Sequence, residues 1–537
     1  MFTAEDINIP VDKSGLVIYF SVKGNRFFFN GNTGFLSHDL PDYADAVFGA
    51  LKKSNKEKRR IWKTLEEQFG SNCRSLIQEI TLFQNGRHPS LAVEPRQKAF
   101  LPRTSPTQIV IYTSQDCNLA CSYCYNQGGT FGGPSSFMST ETAQDVVSFI
   151  SGIIKEERHD MINVNLFGGE PLLNLPAVKI FARRLQDLNH LNLKSKVRLT
   201  LATNGTIYNK EIFKTFAERP DLSTIVVSLD AFRNLHDLNR VFKNKRKRSS
   251  YDVVLANLKR LIKEGIPHSV TCVVTHPFDF VSAAGELHKL GLRCVELRDL
   301  TYHIFGEAAL PEVFYSNLAL WKQKYLEYSD FHLDYMAKEN AVEHVDRNML
   351  VLKYADVLEN SGEAGDTLAC GAGDSSIAID SSGSIFPCDG FIRHHTFKLG
   401  HVKDGFDKAK HKCFEQWILS NGQHRIDNGR CRLCFAKLFC AGGCYAHSYD
   451  KNHRLAPLDE NRCEYIRETI KIDLYYLSEM KRRGLKLRVQ LADEASVGRS
   501  SQLQESGDLD FKKLPKQEKD LIMKELKAVQ RIGPFET

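Results

Sequence analysis

Ten of the fourteen cysteines in this chain of 537 residues fall into two groups, and that grouping constrains its fold more than any other feature. Cys117, Cys121 and Cys124 share one short stretch. Cys370, Cys388, Cys431, Cys434, Cys440, Cys444 and Cys463 form a second, wider group. Cys73, Cys272, Cys294 and Cys413 lie outside both patterns, and the first three read as small core residues. The opening residues, MFTAEDINIP, have no apolar core of a secretory signal, so a reducing, cytoplasmic setting is the expectation. Grouped cysteines in that setting are metal ligands more often than disulfides. No apolar run approaches the roughly 18 residues of a membrane span, so no membrane partner is expected. The balance of 72 Lys+Arg against 65 Asp+Glu leaves a formal charge of +7, too mild over this length to imply nucleic acid.

The chain divides by pattern. Val17–Val22 and Arg26–Asn30 read as a hairpin, followed by charged amphipathic helices near 41–53, 56–69 and 73–84. Residues 1–86 are therefore a small α+β module, and 87–106, with four prolines, a linker. From Thr107, strands and helices alternate. Strands are expected at Gln108–Tyr112, Asn163–Phe167, Arg198–Ala202, Ile225–Leu229, Ser269–Thr275 and Arg293–Leu297. Helices such as Thr140–Glu156 and Tyr251–Glu264 fall between them. The alternation implies an α/β fold with a parallel sheet over 107–300, either open or closed into a partial barrel. Residues 301–364 read as a helical bridge. Residues 365–470 are rich in Gly, Cys and turns, and need something beyond an apolar core to hold them. Residues 471–537 are a charged extension, with one more helix expected at Lys516–Val529.

The first cysteine group follows the first strand of the α/β unit, in the order Cys117-x-x-x-Cys121-x-x-Cys124 with Tyr123 before the last cysteine. Three thiolates on one loop suit a four-iron cluster with one iron left open; zinc would want a fourth ligand nearby. This motif resembles that of the radical S-adenosylmethionine (SAM) superfamily. The resemblance extends to Phe167-Gly168-Gly169-Glu170-Pro171 after the second strand and Thr203-Asn204-Gly205 after the third. Ser228-Leu229-Asp230 after the fourth strand and Arg240 also match. It implies a partial (β/α)6 barrel. It also implies SAM contacts from Tyr123, Gly168, Gly169, Glu170, Asn204, Ser228 and Arg240, with Glu170 near the amino group and Arg240 near the carboxylate. The residue-level alternatives are a strand cap for Ser228 and a surface charge for Arg240. In that family one electron cleaves SAM to methionine and a 5′-deoxyadenosyl radical, which abstracts a substrate hydrogen; a ferredoxin or flavodoxin is the expected donor.

The second group, with Gly383 five positions before Cys388, resembles the SPASM domain of radical SAM enzymes that act on peptides and proteins. Two zinc ribbons are the rival reading. The resemblance implies two auxiliary clusters, three four-iron clusters in all. One is held by Cys431, Cys434, Cys440 and Cys463, the other by Cys370, Cys388 and Cys444. The second set lacks a fourth cysteine. Either Cys413 completes it or one iron is open to a substrate thiolate, and the open iron is preferred. Asp389, directly after Cys388, resembles a proposed catalytic base of sulfatase maturases, with a capping role as the alternative. The run 243–248 reads as a solvated basic loop rather than a nucleic-acid site, with steering of an acidic peptide as the alternative.

The N-terminal module is similar to winged-helix elements of maturases for ribosomally made peptides, where an exposed strand edge can capture a leader peptide. Gly128-Gly129-Thr130-Phe131-Gly132-Gly133, with Met138 beyond it, resembles maturases that form thioethers. The expectation is thus a radical SAM peptide maturase forming a Cys-to-carbon thioether. A formylglycine-forming maturase, a carbon–carbon or ether cross-linking maturase, and a binding protein with purely structural clusters are the alternatives.

Overall fold

The computed structural model describes residues 8–10, 17–31, 36–37, 40–84, 106–156, 159–191, 194–244, 248–274, 280–290, 292, 295–299, 318–338, 371–418, 420, 430–440, 442–452 and 460–485. Cys294, Cys370, most of the linker, the expected helix at 516–529 and most of the C-terminal extension lie outside them.

The N-terminal module opens with an antiparallel sheet, β1 (Asn8–Pro10), β2 (Val17–Val22), β3 (Asn25–Asn30) and β4 (Leu36–Ser37), in sequential order. Helices α1 (Tyr43–Gly49) and α2 (Asn55–Gln84) follow. The non-helical φ of +66° at Gly70 kinks α2 near the expected break between two helices. Both faces of the sheet are covered, which explains why Val17–Val22 and Asn25–Asn30 are nearly continuous apolar runs rather than alternating ones. Val17, Tyr19 and Phe28 pack on α1 and α2. Ile18, Phe20, Val22, Phe27 and Phe29 pack on Phe435, Ala436 and Phe439 and on Ile470, Leu474 and Tyr475. A Cβ on Gly31 would collide with the Phe435 backbone, so glycine permits this approach. The expected open edge of the hairpin is largely occupied: β1 pairs with Ile18–Phe20 and β4 with Phe28–Phe29.

The six expected strands of the α/β unit are β5 (Gln108–Gln115), β8 (Met161–Gly168), β9 (Lys196–Thr203), β10 (Ser223–Ser228), β12 (His268–Val274) and β13 (Val295–Asp299). They are parallel and lie in chain order across the sheet. Right-handed crossovers that always advance in one direction put every helix on one face. The sheet then curls to close its other face, giving the partial barrel rather than an open doubly wound sheet. Strands β8, β9, β10 and β12 alternate strictly in burial. Ile162, Val164, Leu166, Leu199, Leu201, Ile225, Val227 and Val270 face the helical layer and form the main core. Cys272 joins that core and Cys73 the N-terminal one, as small apolar residues.

The sheet does not stop at the barrel. After two short ribbon strands, β6 (Leu119–Cys121) and β11 (Arg240–Phe242), and β7 (Ser136–Phe137) against the end of β5, the Cys-rich region adds β14 (Ser376–Ile379), β15 (Ser384–Phe386), β16 (Gly400–His401) and β17 (Gly405–Phe406). Strand β14 pairs parallel with β5, Ser376 opposite Gln108 and Ile379 opposite Ile111. The Cys-rich region therefore continues the barrel sheet rather than forming a separate layer. The described part of the bridge, Leu318–Lys338, is helical and packs on the helix Glu460–Arg482. Trp321 rests on Tyr465, and the Tyr325 hydroxyl donates to Asp473 at 3.0 Å. Among the described residues no helix is long and apolar enough to cross a membrane.

Candidate functional site

The loop after β5 carries Cys117, Cys121 and Cys124, and the ribbon holds it against the barrel mouth. Arg240 lies opposite Cys121 in the β6–β11 register. Backbone N–H groups of Leu119 and Gly128 donate to Cys117 Sγ and Cys124 Sγ at 3.4 and 3.1 Å, and Asn204 Nδ2 donates to Cys117 Sγ at 3.5 Å. Burial pushes the Cys117 thiol up to about 12, the nearby Glu170 carboxylate adding to it. Burial likewise raises Cys121 and Cys124. Without a cation to compensate, three charges so close and so buried are unfavourable. A metal centre reverses that balance and releases the protons. Soft thiolates on a buried loop, with N–H donors aimed at sulfur, suit an iron–sulfur cluster. Among the described residues no three His, Cys, Asp or Glu side chains converge on one point as a single-ion site would require.

The Gly-Gly-Glu turn at the end of β8 grips this loop. Gly169 N and Glu170 N donate to Ser114 O and Asp116 O at 2.9 and 2.8 Å. A Cβ on Gly169 would collide with the carbonyl oxygens of Asp116 and Gly128. The Gly168 carbonyl accepts from Asn126 Nδ2 at 3.0 Å, and Asn126 Oδ1 accepts from the Cys124 thiol at 2.8 Å. The glycines thus serve close backbone packing of the cysteine loop. Glu170 is fully buried and accepts from Leu172 N (3.0 Å), Thr203 Oγ1 (2.8 Å) and Asn204 N (2.7 Å). Burial raises its pKa to about 7 despite these three donors.

Arg240 is buried, not a surface charge. Its Nε and Nη2 donate to Asp230 at 3.0 and 3.2 Å, and its guanidinium lies 5.3 Å from the Tyr123 ring centroid. The Tyr123 hydroxyl donates to Asp230 at 2.8 Å and Val273 N donates to the same carboxylate at 3.1 Å. Although burial opposes its charge, Arg240 and His236 leave the Asp230 carboxyl below the usual range. Ser228 ends β10 half-buried, and Asn204 donates to Asn118 at 2.8 Å. Lys243 is not simply solvated: Nζ donates to Asp116 at 2.8 Å, and Asp116 accepts from Cys117 N at 2.7 Å.

In the Cys-rich region, Cys431 lies in the short turn Arg430–Leu433 and Cys434 follows it, Cys440 ends the helix Lys437–Cys440, and Cys463 lies in the first turn of Glu460–Arg482. Burial pushes the Cys440 thiol up to about 12, with Cys431, Cys434 and Cys463 as its next-largest influences. Tertiary structure thus brings these four thiols into one neighbourhood. Cys388 and Cys444 precede the turn Asp389–Phe391 and the helix Tyr445–Asn452, which pack together. Cys413 is exposed on the helix Lys408–Ile418, whose His411, Phe414 and Ile418 point inward. Asp389 opens its turn half-buried, and Asp389 Oδ2 accepts from the Tyr125 hydroxyl at 2.6 Å. That bond links the residue after Cys124 to the residue after Cys388. The glycine-rich segment 128–133 is packed: Gly129 abuts Gly169, Phe131 stacks on Tyr112 at 5.8 Å, and Met138 is buried.

Sequence reasoning did not single out Asn126 and Tyr125, gave Asp230 no role of its own, and placed Lys243 in a solvated loop. Only Asp230, within the Ser-Leu-Asp stretch, had a signal in the motifs.

Residues 111–287 match the Radical SAM superfamily. The cysteine-type anaerobic sulfatase-maturating enzyme of Clostridium novyi (strain NT) is 22% identical over 360 residues, spanning 63% of this chain and 88% of that protein. The serine-type enzyme of Klebsiella aerogenes is 25% identical over 348 residues, 62% of this chain and 77% of that protein. In structure the chain resembles anSMEcpe with bound AdoMet: TM-score 0.54, 18% identity, 73% of this chain and 98% of that one. The likeness is one of fold.

Proposed function

We propose, for a chain that is an enzyme built on a radical SAM domain at 111–287, that it oxidatively matures a peptide or protein substrate. The observation that carries this reading is the Tyr125–Asp389 hydrogen bond, which joins the residue after Cys124 to the residue after Cys388, while β14 continues the barrel sheet beside β5. The sulfatase-maturating names of relatives matched over most of their length support the substrate class.

We assign Cys117, Cys121 and Cys124 to the SAM-binding cluster. Cys431, Cys434, Cys440 and Cys463 are assigned to one auxiliary cluster, and Cys370, Cys388 and Cys444 to the other. The exposure of Cys413 supports leaving one iron of the last open. When bound, SAM and these clusters supply hydrogen-atom abstraction and an acceptor for the electron left on the substrate. The chain's own residues do the rest. Asp230 holds the Arg240 guanidinium and the Tyr123 ring beside the cysteine loop. Glu170, held by Leu172 N, Asn204 N and the Thr203 hydroxyl, fixes the turn at the end of β8. Asp389 is assigned the proton that the substrate thiol loses, its Oδ2 being oriented by Tyr125. The finer reading is a thioether: a C–H and an S–H give a C–S bond, with one hydrogen atom, one proton and one electron removed.

The second reading is formylglycine formation, favoured by the position of Asp389 next to Cys388 and by the names of the relatives. Anaerobic reconstitution with SAM, reductant and a candidate peptide separates the two by mass spectrometry. A thioether shows as loss of two hydrogens with the cysteine no longer alkylatable. Formylglycine from cysteine shows as loss of sulfur and a new aldehyde. Failure to cleave SAM under strong reduction overturns both.

A further inference from the structure

The segment that leads into α2 and forms its first two turns is strongly basic. Between Lys52 and Lys63 there are seven cations and one acid, a local excess of six against seven for all 537 residues. The helix begins with a capping box: Glu57 accepts from Ser54 Oγ at 2.6 Å, and Glu57 N donates back to Ser54 Oγ. The one acid is thus drawn toward the helix start. From there the 3.6-residue period places Lys56, Arg59, Arg60 and Lys63 on one exposed stripe, about 10 Å long at 1.5 Å per residue. Leu65 is buried beneath, Trp62 donates to Val47 O at 3.2 Å, and Lys58 lies across the Trp62 ring. Among the described residues Lys52, Lys53, Lys56, Arg59 and Arg60 close no ion pair, and Lys63 reaches only Glu67, at 3.9 Å. A concentration of like charge raises the free energy of the folded module and is relieved by an anionic partner.

We infer that this stripe on α2 is a docking site for an acidic segment of the peptide substrate, remote from the radical chemistry. The inference rests on the maturase reading and adds the partner's chemistry. The layer order supports it: α2 lies on one face of the β1–β4 sheet, and the other face is clamped to Phe435 and Phe439, beside Cys434 and Cys440. A segment held here is tied through the packed sheet to the region of the cysteines without occupying their surroundings. The occupied edges of the hairpin leave little strand to add to. A membrane surface would need exposed apolar anchors between the cations, yet residues 52–60 are polar and charged throughout, and Ile61 and Trp62, which precede Lys63, are half-buried against the module's core. Single-stranded nucleic acid would want an exposed aromatic, whereas Trp62 is tucked against α1. An electron donor would need to approach the clusters, and the β1–β4 sheet lies between α2 and the Phe435–Phe439 segment beside Cys434 and Cys440. An extended peptide covers the stripe with about three to four residues at roughly 3.3 Å each, so a short Asp/Glu run suffices.

The test uses the full-length reconstituted protein and a fluorescent Gly/Ser peptide carrying four consecutive glutamates, with a four-glutamine version as control. Comparison probes are a DNA oligomer of equal charge and phosphatidylserine vesicles. K56Q/R59Q/R60Q/K63Q removes the stripe; Gln is nearly as good a helix former, so α2 is retained. We expect the acidic peptide to bind more tightly than the glutamine peptide, more weakly as salt rises, and about tenfold more weakly to the variant, each exposed contact being individually weak. SAM cleavage without peptide should be equal in both proteins. Equal peptide affinity for variant and parent overturns the inference, as does tighter binding of DNA or vesicles than of the peptide. Loss of SAM cleavage in the parent would overturn the maturase reading instead, and leaves the binding result to be judged separately.

Discussion

The two cysteine groups reach the same end by opposite means. Cys117, Cys121 and Cys124 lie in one loop that local backbone bonds and the Gly168–Gly169 turn shape. The described cysteines of the second group come from five separate places, Cys388 beyond the β14–β15 hairpin, Cys440 beside the Phe29–Phe439 contact and Cys463 on the helix Glu460–Arg482. A local site tolerates a disturbed domain elsewhere, whereas a distributed site depends on all of its supports. The two groups should therefore fail differently.

The largest effect should come from exchanging ligands. C121A should abolish 5′-deoxyadenosine formation, whereas C440A should leave SAM cleavage and stop peptide modification, with about four irons lost in either case. Product chromatography, peptide mass spectrometry and iron assay check this; loss of SAM cleavage in both would erase the distinction. Next is the buried pair beside the first group. D230N leaves Arg240 without its counter-charge, a loss of about 3–5 kcal/mol in urea unfolding of the metal-free protein. A change within experimental error would mean that Arg240 finds another anion. G169A forces the turn off the cysteine loop and should cost about 1–3 kcal/mol, along with iron content, while the second group still loads.

The smallest effect is in pH. The folded protein holds the Glu170 proton up to about pH 7, whereas the unfolded chain releases it near 4.5. Folding binds a proton in that window, so this residue's contribution is fully present below about 4.5 and is lost as pH rises through about 7. Comparing metal-free E170Q with the parent across this range should show a flatter slope; equal slopes would place the titration elsewhere.

Much of this architecture was legible because it rests on local pattern. The six barrel strands appear within a few residues of their expected positions, since alternation in one strand and periodicity in the next helix are short-range signals. The kink at Gly70 follows from one residue's backbone freedom. The buried state of Arg240 was not legible, because its partner Asp230 is in the loop after β10 and its ring neighbour Tyr123 in the cysteine loop, and neither contact is set by spacing along the chain. Nor was the Tyr125–Asp389 bond, which spans 264 residues.

The sequence by itself determined the radical SAM motif, the alternation that makes the barrel, and the residue types able to hold clusters, because spacing within a loop or strand is a covalent constraint. Tertiary structure alone decided the strand order that chooses a barrel over an open sheet and the joining of β14 to β5. It also decided the clamp of the N-terminal sheet on Phe435 and Phe439. Those outcomes depend on which buried faces find each other across the chain, a competition among long-range contacts that no local window contains.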